Sequence, residues 1–184
     1  LVAGVDIAFT ADGNTAQAAA VVYSVAEKRI IEQHVIRRPV KYPYVPNFLS
    51  FREGPILQEL IAELREPWEV IMFDGQGIAH PRGCGLAAHL GVLLDRPAIG
   101  VAKSRLCGEH EEPGLTAGSH SPLLLDGKQV GIALRTRNGV KPLFVSIGNR
   151  MDLESARRIV LACCKYRVPE PTRQADILTK RRKT

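Results

Sequence analysis

Residues 70–82 read VIMFDGQGIAHPR, and this stretch decides the fold. Four apolar residues bounded by turn residues are typical of a buried strand, and this run stops at the carboxylate of Asp74, before a glycine-rich loop. Ligands of α/β sheets bind outside the carboxyl ends of the strands. The stretch therefore predicts a strand over 70–73 and makes Asp74 the first candidate for the floor of an active site.

A helix and a second apolar strand follow and complete a parallel unit. Segment 86–93 predicts a short helix, and 98–102 predicts another buried strand, which ends at Lys103. This order and spacing indicate a βαβ unit with parallel strands. His80 and Lys103 are then expected at the sheet edge of Asp74, where a histidine can act as acid or base and a lysine can contact a phosphate. A histidine bonded to the loop backbone and a solvated lysine are the alternatives.

The N-terminal part of the chain predicts an antiparallel meander. Strands over 1–9, 18–25 and 29–37 are joined by short turns. Asp6 lies inside the first strand, on a face that it shares with small apolar residues, and a charge there needs a partner or a metal. A meander followed by a βαβ unit lets the first and fourth strands lie side by side, which would bring Asp6 and Asp74 within reach of one ion.

The remainder of the chain adds to the same sheet. The pattern predicts, in order, a surface loop, two strands, a helix and a tail that starts with prolines, over 104–121, 129–134, 143–146, 152–165 and 169–184. No internal repeat or domain linker is visible. The sequence therefore predicts one α/β domain over 1–184, with a mixed sheet (an antiparallel three-strand meander plus parallel strands) flanked by helices.

Glu53 lies near the start of a predicted helix over 48–64, and its role has two alternatives. Ser50 and Glu53 have the spacing of a capping box, in which the acid only closes the helix end. Pro55 is most comfortable in a first helical turn, so the regular helix could instead begin there and leave Glu53 outside it as a site residue. The local pattern does not separate the two.

A proline-rich loop over 39–46 precedes that helix. Proline fixes its own φ and restricts the residue before it. The loop is therefore expected to be stiff and to present Tyr44 in a set direction.

Three carboxylates with unusual positions suggest a metal site. Asp6, Glu53 and Asp74 offer hard oxygen ligands of the kind that Mg²⁺ or Mn²⁺ takes while keeping waters and a substrate phosphate. Such ions can activate water and stabilise the leaving oxygen in phosphodiester hydrolysis. Surface acids or helix caps are the alternative.

Composition agrees with an intracellular protein that binds a polyanion. The 184 residues carry a net charge of +6 and a pI near 9.4, which suits nucleic acid. No apolar run is long enough to span a bilayer. The four cysteines lack metal-type C-x-x-C spacing, and no signal peptide is recognisable, so reduced thiols and a cytoplasmic location are expected. The sequence leaves the oligomeric state open, and a monomer is the default expectation.

Six segments together resemble the endonuclease V family, the nucleases directed at deaminated bases, which have a ribonuclease H-like fold. The resemblance runs from residue 1 to about 180 in the same order. The matching segments are VAGVD at 2–6, PYVP at 43–46, FREGP at 51–55, DGQGIAHPR at 74–82, GVAKSRL at 100–106 and PEPTR at 169–173. The family usually has a helical segment before the first strand, and that segment is expected to be missing here.

This resemblance implies the catalytic machinery. Asp6, Glu53 and Asp74 would hold Mg²⁺, with Mn²⁺ able to substitute, and His80 and Lys103 would assist at the scissile phosphate. Asp176 is a possible further acid near the metal, although an acid on a helix surface explains it equally well.

The resemblance also implies how the lesion is recognised. Tyr44, flanked by Pro43 and Pro46, would fill the gap left when the damaged base rotates out of the helix. Backbone at Gly75, Gln76 and Gly77 would help form a pocket for hypoxanthine, and Arg82 would contact the substrate. Asn47 stands where the family often has glycine, and asparagine tolerates a left-handed backbone better than most residues. Family enzymes act in DNA repair and cut the second phosphodiester bond 3′ to the lesion.

Three other functions are open. The chain could be a ribonuclease H-like nuclease of branched or flapped DNA, or an inosine-specific ribonuclease, since no motif obviously reads a 2′-hydroxyl. A basic nucleic-acid-binding module without catalysis is the third. It would not need Asp6, Glu53 and Asp74 together, because three acids repel phosphate unless a cation lies between. DNA carrying a deaminated base is the favoured substrate.

Overall fold

The computed structural model of the chain describes residues 1–43, 45 and 48–181. The elements follow one another as β1 (Val2–Phe9), β2 (Thr15–Ser24), β3 (Arg29–Pro39), α1 (Leu49–Ala62), β4 (Val70–Phe73), α2 (Leu86–Leu94), β5 (Ala98–Ala102), β6 (His120–Leu125), β7 (Lys128–Leu134), β8 (Leu143–Ile147), α3 (Leu153–Ala162) and α4 (Glu170–Lys180).

All eight strands belong to one mixed sheet in the order β3-β2-β1-β4-β5-β8-β7-β6. β1 pairs antiparallel with β2 and parallel with β4, so that Gly4 lies opposite Met72. β4 in turn pairs parallel with β5. The predicted meander, the parallel unit and the neighbouring first and fourth strands are confirmed.

The two faces of the sheet carry separate hydrophobic cores. Successive side chains of a strand point to opposite faces, so neighbouring residues enter different cores. Ala3 and Phe73 pack in a cluster with Leu60 of α1, whereas Met72 packs in a cluster with Val160 of α3. Each of these five residues is fully or almost fully buried. The central strands β1 and β4 are thereby fixed on both faces, which gives rigid positions to the residues at their ends.

The interpretation of 169–184 as a tail is wrong for most of its length. Residues 170–180 form α4, which begins with a proline in its first turn, where the missing N–H costs nothing. Its buried face includes Ala175 and Leu178, which pack with Ala19 and Val21 of β2. Proline, charged residues and a short apolar stripe hid this helix in the sequence.

Helix α1 begins earlier than either alternative for Glu53 requires. Its N-cap is Phe48, with no side-chain cap hydrogen bond, and Pro55 lies inside the helix. The capping-box interpretation and the start at Pro55 are therefore both wrong. Burial of Leu57 and Leu60 against the sheet offsets the cost of an internal proline, so that the helix extends through it.

Strand β6 was not predicted, because its first residues fall within the expected loop 104–121. It is an edge strand, the position in which Pro122 is tolerated.

Helix α3 starts one residue after Asp152. The side chain of Asp152 accepts the Ser155 N–H and so caps the helix N-terminus. Among the described helices, none is long and apolar enough to cross a membrane.

Candidate active site

Three carboxylates meet at the carboxyl ends of the parallel strands. Asp6 comes from β1, Asp74 follows β4, and Asp176 comes from α4. One oxygen of each lies within 4.8 Å of the others, and all three side chains are partly exposed. The predicted approach of Asp6 and Asp74 is found, and Asp176 completes the group. We call these three residues the acid cluster.

Helix α4 reaches the acid cluster because β1 offers it a flat surface. A Cβ atom added to Gly4 would lie 2.3 Å from the carbonyl carbon of Pro171, so only glycine allows this approach. Further along the helix, the Thr179 hydroxyl donates to Asp6 Oδ2 at 2.9 Å. These two contacts hold Asp176, which lies between Pro171 and Thr179, over the end of β1.

The ammonium group of Lys103 lies inside the acid cluster. It donates to Asp74 Oδ2 at 2.5 Å and to Asp176 Oδ1 at 3.3 Å. Burial lowers the pKa of Lys103, but the hydrogen bond and charge of Asp74 outweigh it and raise the pKa above its usual value. Burial also raises the pKa of Asp6 to about 6, although the hydrogen bond from Thr179 acts to lower it. The site is thus a concentration of negative charge that already attracts a cation.

Glu53 lies close to Asp6 and Asp74 but is not one of the three members of the acid cluster. It is only 7% exposed, on the first turns of α1. Burial, followed by the charge of Asp6, raises the pKa of Glu53 to about 8, and Asp74 adds to the effect. A carboxyl group buried beside two others is poised to ionise when a cation approaches.

A cleft of about 640 Å³ opens beside the acid cluster. It lies between the start of α1, the loop after β4 and the segment after β5. Its lining comprises Leu49, Ser50, Asp74, Gly75, Gln76, His80, Cys84, Gly85, Leu86, Ala102, Lys103, Ser104, Arg105 and Leu106. This volume lies within the usual range of pockets that bind small molecules. Because Asp74 and Lys103 form one wall, whatever the cleft holds lies next to the acids.

His80 is 7% exposed on the wall of this cleft. Its Nδ1 accepts the backbone N–H of Arg82 at 3.2 Å, which leaves Nε2 as the protonated nitrogen of the neutral ring. Burial and the charge of Arg82 lower the pKa of His80. The loop-backbone hydrogen bond that sequence reasoning set against a catalytic role is present, and it fixes the tautomer.

The glycine loop of residues 75–77 divides between the cleft and the core. Gly75 lines the cleft, and an added Cβ there would meet only ordinary contacts at 3.8 Å. Gln76 is 8% exposed and its Nε2 donates to the Ser104 carbonyl at 3.2 Å. Gly77 faces away, and its N–H donates to Ser146 Oγ at 2.8 Å. Its backbone therefore supports the loop rather than the pocket.

The remaining predicted substrate residues are exposed and do not line the cleft, or lie outside the described part of the chain. Arg82 is exposed, with its guanidinium carbon 4.2 Å from the ring centre of Phe48. Pro43 is exposed in the loop before α1. Tyr44 and Pro46 lie outside the described residues, so their predicted role as a wedge stays a prediction.

Two further cavities lie elsewhere on the described part of the chain. A basic one of about 460 Å³ lies beyond Thr179 and includes Arg37, Lys180 and Arg181. A larger one of about 880 Å³ lies at the β6 edge of the sheet, against the 108–111 loop. We place the candidate site in the cleft of about 640 Å³ because Asp74, a member of the acid cluster, forms part of its wall.

Sequence reasoning gave Asp176 only as a possible acid, although a stronger signal was present. Pro171, Ala175 and Leu178 recur at helical spacing and indicate an amphipathic helix. Residue 176 then follows a core position directly, at the margin of the buried face. That pattern predicts a helix, but only its packing on β1 brings the acid to the others.

The sequence and the fold of this chain were compared with those of known proteins. The family model described as Endonuclease V matches residues 1–177. Endonuclease V of Nostoc punctiforme is 51% identical over 178 residues, which are 96% of this chain and 80% of that protein. The crystal structure of endonuclease V from Streptomyces avermitilis superposes with a TM-score of 0.93 at 46% identity, covering 97% of this chain and 79% of that one.

A third relative was crystallised with nucleic acid. Endonuclease V of Ciona intestinalis, in complex with a 24mer DNA containing an inosine followed by a ribo-adenosine, has a TM-score of 0.86 at 31% identity. The match covers 97% of this chain and 84% of that one. The predicted ribonuclease H-like fold is confirmed by these neighbours. The chain therefore belongs to the endonuclease V family and is a nuclease, a hydrolase of phosphodiester bonds.

Proposed function

We propose that this protein recognises deaminated bases, inosine above all, and hydrolyses the second phosphodiester bond 3′ to the lesion in DNA repair. The acid cluster at the mouth of the cleft carries the proposal, because it joins a phosphodiester-cleaving site to a pocket large enough for a base. The inosine-containing DNA bound to the Ciona intestinalis relative supports the choice of lesion.

The donor set of the acid cluster fits a divalent cation. Asp6, Asp74 and Asp176 supply only carboxylate oxygens, the donors that Mg²⁺ and Mn²⁺ prefer, within 4.8 Å of one another. The ammonium of Lys103 forms ion pairs with two of these acids, Asp74 and Asp176. We propose that the three acids hold Mg²⁺, with Mn²⁺ able to substitute, and that Glu53 joins them. A bound ion of this kind supplies an activated water and charge stabilisation at the leaving oxygen.

The surrounding residues would position the substrate phosphate. With a cation between the acids, Lys103 is released to contact a phosphate oxygen at the mouth of the cleft. His80 presents its Nε2 proton as a hydrogen-bond donor, since Nδ1 is already occupied. Arg37, Lys180 and Arg181 line the cavity on the far side of Thr179, where they would attract the flanking backbone. Both sides of the acid cluster thus carry positive charge.

Recognition of the base would take place in the cleft. Gly75 leaves room on the cleft wall, and Gln76 stiffens it through the Ser104 carbonyl. A mispaired inosine costs least to rotate out of a duplex, which favours a lesion enzyme. Tyr44 would fill the resulting gap, between Pro43 and Pro46, while Arg82 contacts the strand. An intracellular location and a monomeric state remain predictions.

The experiment is cleavage of an end-labelled oligonucleotide that carries one inosine, beside its unmodified twin, with Mg²⁺ and with EDTA. The expected result is a Mg²⁺-dependent cut one nucleotide past the lesion, in the modified strand alone. Asp74→Ala should abolish the cut and leave the fold intact. Equal cutting of both strands, or of a flapped substrate in preference, would establish the branched-DNA nuclease instead.

Two further comparisons refine the substrate. A matched RNA strand with one inosine separates the ribonuclease alternative, because a preference for RNA would reassign the natural substrate. Tyr44→Ala should lower the preference for the inosine strand more than it lowers metal affinity. An unchanged preference in that variant would remove Tyr44 from lesion recognition.

A further inference from the structure

Two phenylalanine side chains lie open to solvent at the start of α1. Phe48 is 37% exposed and Phe51 is 55% exposed, with ring centres 5.8 Å apart. Phe51 also contacts the His89 ring, edge to face, at 5.3 Å. Arg82 packs over Phe48 at 4.2 Å. We call Phe48, Phe51, His89 and Arg82 the aromatic shelf.

The contacts within the aromatic shelf hold its rings in place and leave part of each ring exposed. Phe48 and Phe51 are three residues apart, which places them on the same side of the first helical turn. Each ring is braced by a neighbour from a different segment, Arg82 from the loop after β4 and His89 from α2. Large apolar side chains kept in place yet exposed mark an interaction surface.

The aromatic shelf is continuous with the cleft. Leu49 and Ser50, the residues between the two phenylalanines, both line the cleft beside Asp74. The start of α1 thus borders both the cleft and the shelf, and a strand whose damaged base occupies the cleft can leave it past the shelf. Successive nucleotides are spaced only about 3.4 Å along a strand, so the base next to one held in the cleft would lie against the residues that border the cleft.

The chemistry of the aromatic shelf fits a nucleobase. Every base has a π-face that stacks on an aromatic ring without regard to sequence. Arg82, which packs over one face of Phe48, adds a cation that complements the phosphate accompanying each base. An apolar protein partner would gain less from a surface whose rim is charged.

We propose that the aromatic shelf stacks the nucleobase next to the one held in the cleft. This inference rests on the proposed function and extends it, because it makes the flanking nucleotide part of the recognised substrate. The shelf binds that base by its face and therefore accepts any of the four bases. It rejects a position that has lost its base. Removal of one ring weakens substrate binding about tenfold.

The test compares Phe51→Leu with the wild-type chain. Leucine keeps an apolar side chain at an exposed position, so the fold is preserved, and Phe48→Leu provides a second variant. Tyr166→Leu is the matched control, because Tyr166 is 50% exposed and packs under Arg173 at 4.6 Å but does not line the cleft. The probes are inosine oligonucleotides with 2-aminopurine, or an abasic unit, on the 5′ or the 3′ side of the lesion.

Binding is measured without divalent cation by 2-aminopurine fluorescence, and cleavage with Mg²⁺ gives KM and kcat. We expect Phe51→Leu to lose the fluorescence change on one flank and to raise KM about tenfold with kcat retained. We also expect an abasic unit beside the lesion to weaken binding by the wild type but not by Phe51→Leu. Phe51→Trp keeps an aromatic ring and should bind the substrate as the wild type does. Tyr166→Leu should behave as the wild type does.

Different results would overturn the role of the aromatic shelf and the proposed cleavage at inosine. Unchanged fluorescence, KM and response to an abasic flank in Phe51→Leu and Phe48→Leu would overturn the aromatic shelf while inosine cleavage stands. A wild-type chain that binds through the shelf but does not distinguish inosine from the unmodified strand would overturn the proposed function alone.

Discussion

Gly4 of β1 lies directly against Pro171 of α4, and no side chain could fit between them. A Cβ atom at Gly4 would come 2.3 Å from the Pro171 carbonyl carbon and 2.4 Å from its Cβ. This contact seats α4 on the face of β1 that also carries Asp6. The geometry of the acid cluster therefore depends on a residue with no chemistry of its own.

We expect Gly4→Ala to disturb the site from a distance. The added methyl group meets backbone atoms, which cannot turn aside, so α4 must shift and carry Asp176 with it. The free energy of unfolding should fall by about 2–3 kcal/mol. Denaturant titration measures the loss, and Mg²⁺ titration of the folded variant should show weaker binding. Gly114→Ala is the control, because its methyl group would meet mainly the Ser119 hydroxyl, at 3.1 Å. Equal stability of the two variants would contradict the account.

Asp176→Asn tests the member of the acid cluster that comes from α4. Loss of one charged oxygen ligand should weaken Mg²⁺ binding at least about tenfold, since even the partners of metal ligands cost that much. The rise in melting temperature on adding Mg²⁺ should shrink accordingly. Asp126→Asn, at an exposed turn, should leave both quantities unchanged. Full Mg²⁺ affinity in Asp176→Asn would leave Asp6, Glu53 and Asp74 as the ligand set.

Glu53 gives the stability of the metal-free protein a defined pH dependence. Its pKa is raised by burial from 4.5 to about 8, so between these values the folded state keeps a proton that the unfolded state releases. Stability in EDTA should therefore fall as the pH rises from about 5 to about 8, on the order of 2–4 kcal/mol.

Glu53→Gln checks this dependence directly. Glutamine resembles the protonated acid in shape and does not ionise, so the variant should lose most of the slope and exceed the wild type in stability at pH 8. The raised pKa of Asp6, about 6, leaves a smaller slope in both proteins. Denaturant titrations across pH 5–8 provide the measurement, and parallel curves would show that Glu53 does not titrate in this range.

The cysteines should divide sharply in their reactivity. Cys84 is exposed on the cleft wall, whereas Cys163 is 1% exposed. Burial raises the pKa of Cys163 and of Cys164 to about 12, so hardly any thiolate exists at pH 8. Brief treatment with iodoacetamide, followed by peptide mass spectrometry, should label Cys84 and spare both. Labelling of Cys163 in the folded protein would show that α3 opens readily.

Local pattern was sufficient for the centre of the fold. The run over 70–73 is apolar and ends in a turn, and a meander followed by a βαβ unit allows β1 to lie beside β4, with β4 parallel to β5. Asp6 and Asp74 follow from that arrangement, because Asp74 directly follows β4 and Asp6 directly follows the last residue of β1 that pairs with β4. His80 and Lys103 follow for the same reason.

Tertiary packing decided the rest. Glu53 lies within a helix that runs through Pro55, and only burial against the sheet makes that helix favourable. Asp176 belongs to a segment whose prolines and charges indicate a tail, and it joins Asp6 only because Gly4 lets Pro171 approach. The sequence by itself determined all the strands except β6, the neighbouring strands at the centre of the sheet and two acids at one edge, since hydrophobic periodicity and turn residues act over short distances. The third acid of the cluster was decided by contacts between residues more than 160 positions apart, which no local pattern encodes.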